Sequence, residues 1–175
     1  LFLGVLRYYK GVKYLLEAAK ETDATIVIAG DGPERESLDK IVAHEKLNNV
    51  IFVGHVSDQE KQRLLSSCYA FVLPSSYRSE AYGMVLLEAA SYGKPLVTTE
   101  LGSGTSYINV HNQTGLVIPA KDSDALSTAM NKLMNQPDTA SLMGQKAYQR
   151  YSSLFTVDVM LQEYSNLYRE AIETQ

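Results

Sequence analysis

The sequence is short of the residues on which several classes of function depend. Its single cysteine, Cys68, cannot form an internal disulfide, and its cysteine and histidine residues show no zinc-ligand spacing. No apolar run reaches the about 18 residues of a membrane-spanning helix, and the amino-terminal stretch lacks the basic, apolar and small-residue regions of a secretory signal. An excess of positive charge is missing as well. Sixteen Lys and Arg against 20 Asp and Glu leave a net charge of -4, which argues against a broad footprint on nucleic acid or anionic lipid. An anionic ligand must therefore be held locally. These absences lead us to expect a cytoplasmic protein, peripheral to a membrane at most, with the inner face of the membrane as the alternative location. No repeat, low-complexity tract or linker divides the chain, so residues 1–175 are expected to form one domain. An initiator Met is also lacking, and the opening run Leu1 to Leu6 resembles a strand already under way. We expect that an upstream part has been removed.

What is present is an alternation. Apolar runs at Leu1 to Leu6, Thr25 to Gly30, Val50 to Gly54, Tyr69 to Pro74, Pro95 to Glu100 and Gly115 to Pro119 are continuous, as strands covered on both faces should be. Between them, Val12, Leu15, Leu16 and Ala19 recur at helical spacing, as do Leu126, Ala129, Met130 and Leu133. Leu38, Ile41 and Val42 mark another helix, and Ser57 with Glu60 forms a capping-box pattern ahead of Leu64, Leu65 and Cys68. The expected fold is α/β: a Rossmann-like, doubly wound parallel sheet of about six strands, with helices on both faces and further helices after Asp122. Tyr148, Tyr151, Phe155, Tyr164 and Tyr168 are expected to pack as core, with an interface to a further domain as the alternative.

Ligands of such sheets bind outside the carboxyl ends of the strands. Five segments would meet there: Arg7 to Lys13, Gly30 to Pro33, Gly54-His55, Pro74 to Gly83, and Glu100 to Tyr107. Arg7, Lys10 and Lys13 form a cationic cluster suited to a diphosphate, or a solvated helix start. Gly83 precedes Met84 to Ala90, a stretch of helical composition whose first amides can seat a phosphate without a basic side chain. Glu80 lies before that helix start and Glu88 about five residues inside it. Carboxylates repel phosphates, so each is placed to accept from hydroxyls on either side of a diphosphate. A nucleotide sugar has that layout. Glu88 inside an apolar helix would also be costly without a hydroxyl or cationic partner.

Glu80-Ala81-Tyr82-Gly83-Met84-Val85-Leu86-Leu87-Glu88-Ala89, with Gly93-Lys94-Pro95, resembles the E-x7-E region of the group 1, or family 4, retaining glycosyltransferases of the GT-B fold. Gly4 through Gly11 resembles that family's first glycine-lysine loop, Gly30-Asp31-Gly32-Pro33 its G-x-G-P turn, and Asn49 to Gly54 and Thr114 to Val117 its third and sixth strands. The resemblance implies that Glu88 binds ribose and that Glu80 lies beside the transferred sugar. It further implies that Gly83, Met84 and Val85 offer amides, with Ala81 and Tyr82 beside them, and that Lys10 neutralises the diphosphate leaving group. Gly32, His55 and Val56 would meet the base. The family's first-loop Arg is replaced by Val5, and Arg7 stands two residues further on.

The family is metal-independent and needs no cofactor beyond its substrate. This chain would then be the C-terminal, donor-binding domain. The N-terminal domain that receives a glycan or lipid-linked acceptor would be absent, and the fragment alone would be inactive. Glu100 to Asn109 resembles versions from surface-polysaccharide enzymes, which points to mannose or rhamnose. The alternatives are a related GT-B nucleotide-sugar 2-epimerase or glycan phosphorylase, and a non-catalytic nucleotide-sugar-binding module. Asp122-Ser123-Asp124 is read as a helix cap rather than a metal-binding D-x-D, and Gly102-Ser103-Gly104 as a turn exposing amides. Cys68 is expected in the core, and His44 and His111 at the surface.

Overall fold

The computed structural model describes residues 1–173. Strands β1 (Phe2–Leu3), β2 (Ile26–Ala29) and β3 (Val50–Gly54) form one parallel ladder in the order β1-β2-β3. A second ladder holds β4 (Phe71–Leu73), β5 (Leu96–Glu100) and β6 (Gly115–Pro119). The two meet where the amine of Leu1 donates to the Ala70 carbonyl at 2.9 Å and the Val72 amide donates to the Leu1 carbonyl at 2.8 Å. Across that join the strands run β3-β2-β1-β4-β5-β6, so chain progress reverses direction between β1 and β4. Right-handed crossovers then place the helices that follow β1 and β2 on one face and those that follow β3, β4 and β5 on the other.

Those helices are α1 (Val12–Ala18), α2 (Arg35–Glu45), α3 (Asp58–Ser67), α4 (Met84–Ser91) and the short α5 (Thr105–Ile108). The chain closes with α6 (Ser123–Asn135), which packs on α1, then α7 (Pro137–Leu154), which packs on α4, and α8 (Val157–Glu173). Val12, Leu15, Leu16 and Ala19 are all buried, as are Leu126, Ala129, Met130 and Leu133, so both helical stripes face the sheet. Ser57 and Glu60 form the reciprocal cap of α3, and Asp122 caps α6 by accepting from the Ala125 amide at 2.8 Å. The D-x-D string is therefore a helix start.

Three expectations need correction. Coverage on both faces holds for β4 and for β5 as far as Thr99, but β3 alternates, with Ile51 and Val53 exposed. As the edge of the ladder, β3 has one face outside the helix layer. Tyr148, Tyr164 and Tyr168 are not core: all three are more than half exposed, whereas Tyr151 and Phe155 pack partly against the core. Helix α8 buries none of its described residues and carries Val157, Leu161, Tyr164, Tyr168 and Ile172 as an exposed apolar stripe. The third correction concerns Gly102 and Gly104, whose amides are occupied. They donate to Glu100 Oε1 and to the Ala81 carbonyl, each at 2.8 Å.

The β5–β6 end of the sheet is tied by one buried side chain. Asn109 donates to the carbonyls of Leu96 (3.3 Å) and Leu116 (3.1 Å) and to the Thr98 hydroxyl (2.8 Å), and it accepts from the Thr114 hydroxyl (2.9 Å). Removal would strand several buried polar groups at once. Asn109→Ala should lower the unfolding free energy by about 2–4 kcal/mol, read as a shift in the denaturation midpoint at unchanged slope. A change below about 0.5 kcal/mol would show that water replaces the amide at no cost.

Candidate functional site

The site forms where the strand order reverses, because the loops leaving β1 and β4 part there and open a crevice. The β1 loop ends in a 3-10 turn, Tyr8–Lys10, followed by Gly11 at φ +69. A Cβ on Gly11 would lie 2.0 Å from the Pro74 carbonyl oxygen, so only glycine lets the two loops touch. The Ser76 amide donates to the Tyr9 carbonyl at 2.7 Å, which locks the loops together. Lys10 is thereby carried to Glu80. Its ammonium lies 2.5 Å from Glu80 Oε2, and the Ser75 hydroxyl donates to the same oxygen at 2.9 Å. Their side chains are only 13% and 9% exposed, so this is a nearly dry ion pair, with each charge dependent on the other. The Thr99 hydroxyl, from β5, donates to the Ser75 carbonyl and supports the loop from below.

Gly83, at φ +79, turns the chain from this loop into α4, and its missing Cβ leaves room for Leu73 and Leu86 beneath. Such a helix start leaves its first amides without intrahelical partners. Glu88 stands one turn further along. One oxygen, Oε1, lies 3.3 Å from the Lys61 ammonium of α3, while Oε2 is covered by protein and accepts no hydrogen bond among the described residues. The cationic partner that an acidic residue in this apolar helix requires is thus Lys61. A cavity of 320 Å³ runs from Met84, at the helix start, to Glu88, walled by Lys61, Leu87, Tyr92 and Phe155. Another, of 300 Å³, lies at the opposite ends of the strands among Leu15, Ile26, Met130 and Leu133, and its lining is mainly apolar.

The structure thus brings Lys10 and Glu80 together ahead of Gly83 and the start of α4, with Ala81 and Tyr82 exposed on the loop, while Glu88 lies further along α4 on the cavity it shares with Met84 and Lys61. Arg7 and Lys13 are not drawn in. Arg7 is exposed, and Lys13 turns back over the ring of its neighbour Tyr14. Gly32 lies between the β2 and β1 loops, with the Leu6 amide donating to the Asp31 carbonyl at 2.9 Å, and His55 is exposed just past β3 with Val56 half-buried behind it. Glu100 sits at the end of β5, where the Gly102 amide and the Ser106 hydroxyl hold its carboxyl below the usual range. Cys68 ends α3, half-buried, and burial pushes its thiol up, away from nucleophilic use. His44 and His111 are exposed, as expected.

Two residues of the site escaped sequence reasoning. Ser75 carried a signal, since it follows the strand-closing Pro74 and so belongs to the rim. Lys61 carried none, because its meeting with Glu88 depends on the packing of α3 beside α4.

A doubly wound sheet whose strand order reverses between β1 and β4, with Lys10, Glu80 and a helix start at the reversal, is the α/β architecture of one half of a GT-B protein. The sequence profile of the family "Glycosyl transferases group 1" matches residues 1–150, and the chain belongs to that family. D-rhamnosyltransferase WbpZ of Pseudomonas aeruginosa is 49% identical over 89% of this chain and 41% of its own. O-antigen chain mannosyltransferase C of Escherichia coli is 41% identical over 100% of this chain and 47% of its own. The chain therefore spans a little under half the length of these relatives. Among solved structures, Anabaena Alr3699/HepE in complex with UDP superposes with a TM-score of 0.88 at 22% identity, over 97% of this chain and 48% of its own. The C-terminal domain of the group 1 glycosyl transferase LpcC of Francisella tularensis gives 0.80 at 21% identity, over 89% of this chain and 85% of its own. At that identity the structural likeness speaks for the fold.

The ion pair makes a direct prediction. Lys10→Met should destabilise the chain by about 3 kcal/mol, because it leaves Glu80 buried without its counter-charge, and adding Glu80→Gln should restore part of the loss. Additive effects in chemical denaturation would mean that the two side chains act independently.

Proposed function

We propose that this chain is the donor-binding half of a glycosyltransferase. In this reading the full protein moves a hexose, mannose or rhamnose in type, from a nucleoside diphosphate sugar to a glycan or lipid-linked acceptor with retention. The observation that carries it is the placement of Lys10 and Glu80 on one side of the α4 start and Glu88 on the other. The diphosphate lies over the amides of Gly83, Met84 and Val85, where the helix dipole favours an anion. Glu80 accepts from hydroxyls of the sugar, and Glu88 from those of the ribose. Ala81 and Tyr82 line the sugar side, while Gly32, His55 and Val56 lie toward the base. The names of the rhamnosyl and mannosyl relatives support the sugar class and a place in surface-polysaccharide synthesis, and the UDP held by the Anabaena protein supports the ligand class.

Cleavage of the glycosidic bond leaves the bonding electrons on the departing diphosphate oxygen, so negative charge grows there in the transition state. Lys10 is the side chain that meets it. An ammonium has three donors, and with one on Glu80 two remain for phosphate oxygens. Lys10 and the helix amides carry this charge in our reading, and turnover should survive a chelator. Glu80 holds both Lys10 and the sugar, and neither glutamate is assigned as a nucleophile. The acceptor enters from a second, N-terminal half, for which the exposed stripe of α8 offers a seat. The present chain then binds donor without transferring it. Among the described residues no helix is long and apolar enough to cross a membrane, and we place the protein in the cytoplasm, where nucleotide sugars are met, or at the inner membrane face.

The full-length protein tested against a panel of nucleotide-sugar donors, with slow hydrolysis as the readout, should select a mannose- or rhamnose-type donor. Lys10→Ala should lower turnover by about 10²–10³-fold, as loss of a transition-state donor does. Glu88→Ala should remove measurable nucleotide affinity from a chain that keeps its fold. Transfer by residues 1–175 alone, or donor affinity unchanged in Glu88→Ala, would refute the assignment.

A further inference from the structure

Glu88 is held in an unusual state for a carboxylate. It lies among Leu86, Leu87, Ala89 and Ala90, all buried, yet its own side chain is 41% exposed and its two oxygens are treated differently. Oε1 faces the Lys61 ammonium at 3.3 Å, whereas Oε2 is covered and unpaired. A carboxylate has about four acceptor positions, so most of this one's capacity is unused. Protein closes off Oε2, so a ligand hydroxyl can be met only at Oε1, which keeps acceptor capacity beside Lys61.

Lys61 is itself fixed with care. It occupies the first turn of α3, where the Ser57–Glu60 capping box sets the backbone, and its own amide donates to the Ser57 carbonyl at 2.8 Å. Its ammonium also lies 3.4 Å from Asp58 Oδ1. Partial burial draws the ammonium's pKa down, but the carboxylates of Glu88 and Asp58 more than reverse this, and the group stays charged. Both Lys61 and Glu88 wall the 320 Å³ cavity that reaches Met84 at the start of α4. The crossovers from β3 to β4 and from β4 to β5 advance the same way along the sheet, which puts α3 and α4 on one face.

We propose that Lys61 is a positioning residue for nucleotide recognition: it grips Oε1 of Glu88, whose other oxygen is sealed by protein, and fixes the remaining acceptor capacity of that oxygen toward the ribose hydroxyls. This rests on the donor-site reading above. Lys61 touches neither sugar nor phosphate in this account. Its effect passes through Glu88 and depends on the hydroxyls being there.

The test uses the full-length protein and calorimetric titration with uridine and guanosine diphosphates, each paired with its 2′,3′-dideoxy analogue. For the nucleotide that binds more tightly, the wild type should prefer the ribose form by about tenfold or more, the worth of one to two hydrogen bonds to a charged group. Lys61→Met should reduce that preference to less than about threefold by weakening the ribose form alone, and Lys61→Arg should keep it. In a Glu88→Gln background, Lys61→Met should change nothing further. Equal weakening of ribose and dideoxy forms would overturn the proposal in favour of a general electrostatic role, and unchanged binding of both would overturn it outright. A wild type that binds neither diphosphate, or binds both forms equally well, would instead overturn the donor-site reading itself. A thermal midpoint within a few degrees of wild type shows that Lys61→Met folds, and Lys61→Arg repeats the comparison with the charge retained.

Discussion

The reversal of strand order between β1 and β4 is the constraint on which the rest of the molecule depends. Two adjacent parallel strands whose next crossovers run in opposite directions send their following helices to opposite faces, and the loops above them must separate. Everything polar in the crevice hangs from those two loops. Gly11 lets them touch at Pro74, the Ser76 amide pins one to the other, and the Lys10–Glu80 pair crosses the gap. Without the reversal the same residues would stand at the ends of two strands sharing one helix layer, with no opening between them.

The pair itself is poorly explained by stability. Two charges taken almost out of water rarely outdo well-packed apolar residues of the same volume, and removal of either leaves the other stranded. Here Glu80 has two donors on one oxygen, Lys10 and Ser75, and its loop is braced from below by Thr99. That is the support expected of groups held ready for a ligand. Glu88 differs in kind. It is wetter, Lys61 is its cationic neighbour, and its second oxygen is covered by protein with no partner among the described residues. Glu80 thus takes both donors on Oε2, whereas Glu88 takes one on Oε1.

Most of this was legible because each signal was local. The α3 capping box, the α6 cap and the buried stripes of α1 and α6 need only residues three or four positions apart, and all are found where the spacing puts them. The glutamates were legible for the same reason, since a loop-helix boundary at Gly83 fixes both. The sequence misled where the outcome depended on neighbours it does not name. Val50 to Gly54 reads as a covered strand, but its edge position exposes Ile51 and Val53. The tyrosines of α7 and α8 read as core because aromatic residues at helical spacing usually are, and a helix with nothing packed over it exposes them. The amide of Gly104 looked open because its acceptor, the Ala81 carbonyl, lies in a distant loop, whereas that of Gly102 is taken locally by Glu100, two residues before it.

On the proposed donor-site reading, lysine suits position 10 better than arginine. A guanidinium in the same place would bind Glu80 through a planar fork and commit two donors in one plane to the carboxylate. An ammonium is a compact charge whose remaining donors can point elsewhere, so the ion pair survives while phosphate oxygens are gathered. Arg7, which reaches solvent, offers no such shared geometry, and Lys10 is the cation in contact with Glu80. In the proposed reading, positive charge for the diphosphate would come from one side chain and the start of α4 together. In a chain of net charge -4, the proposed donor site would then concentrate its attraction for an anion at one point.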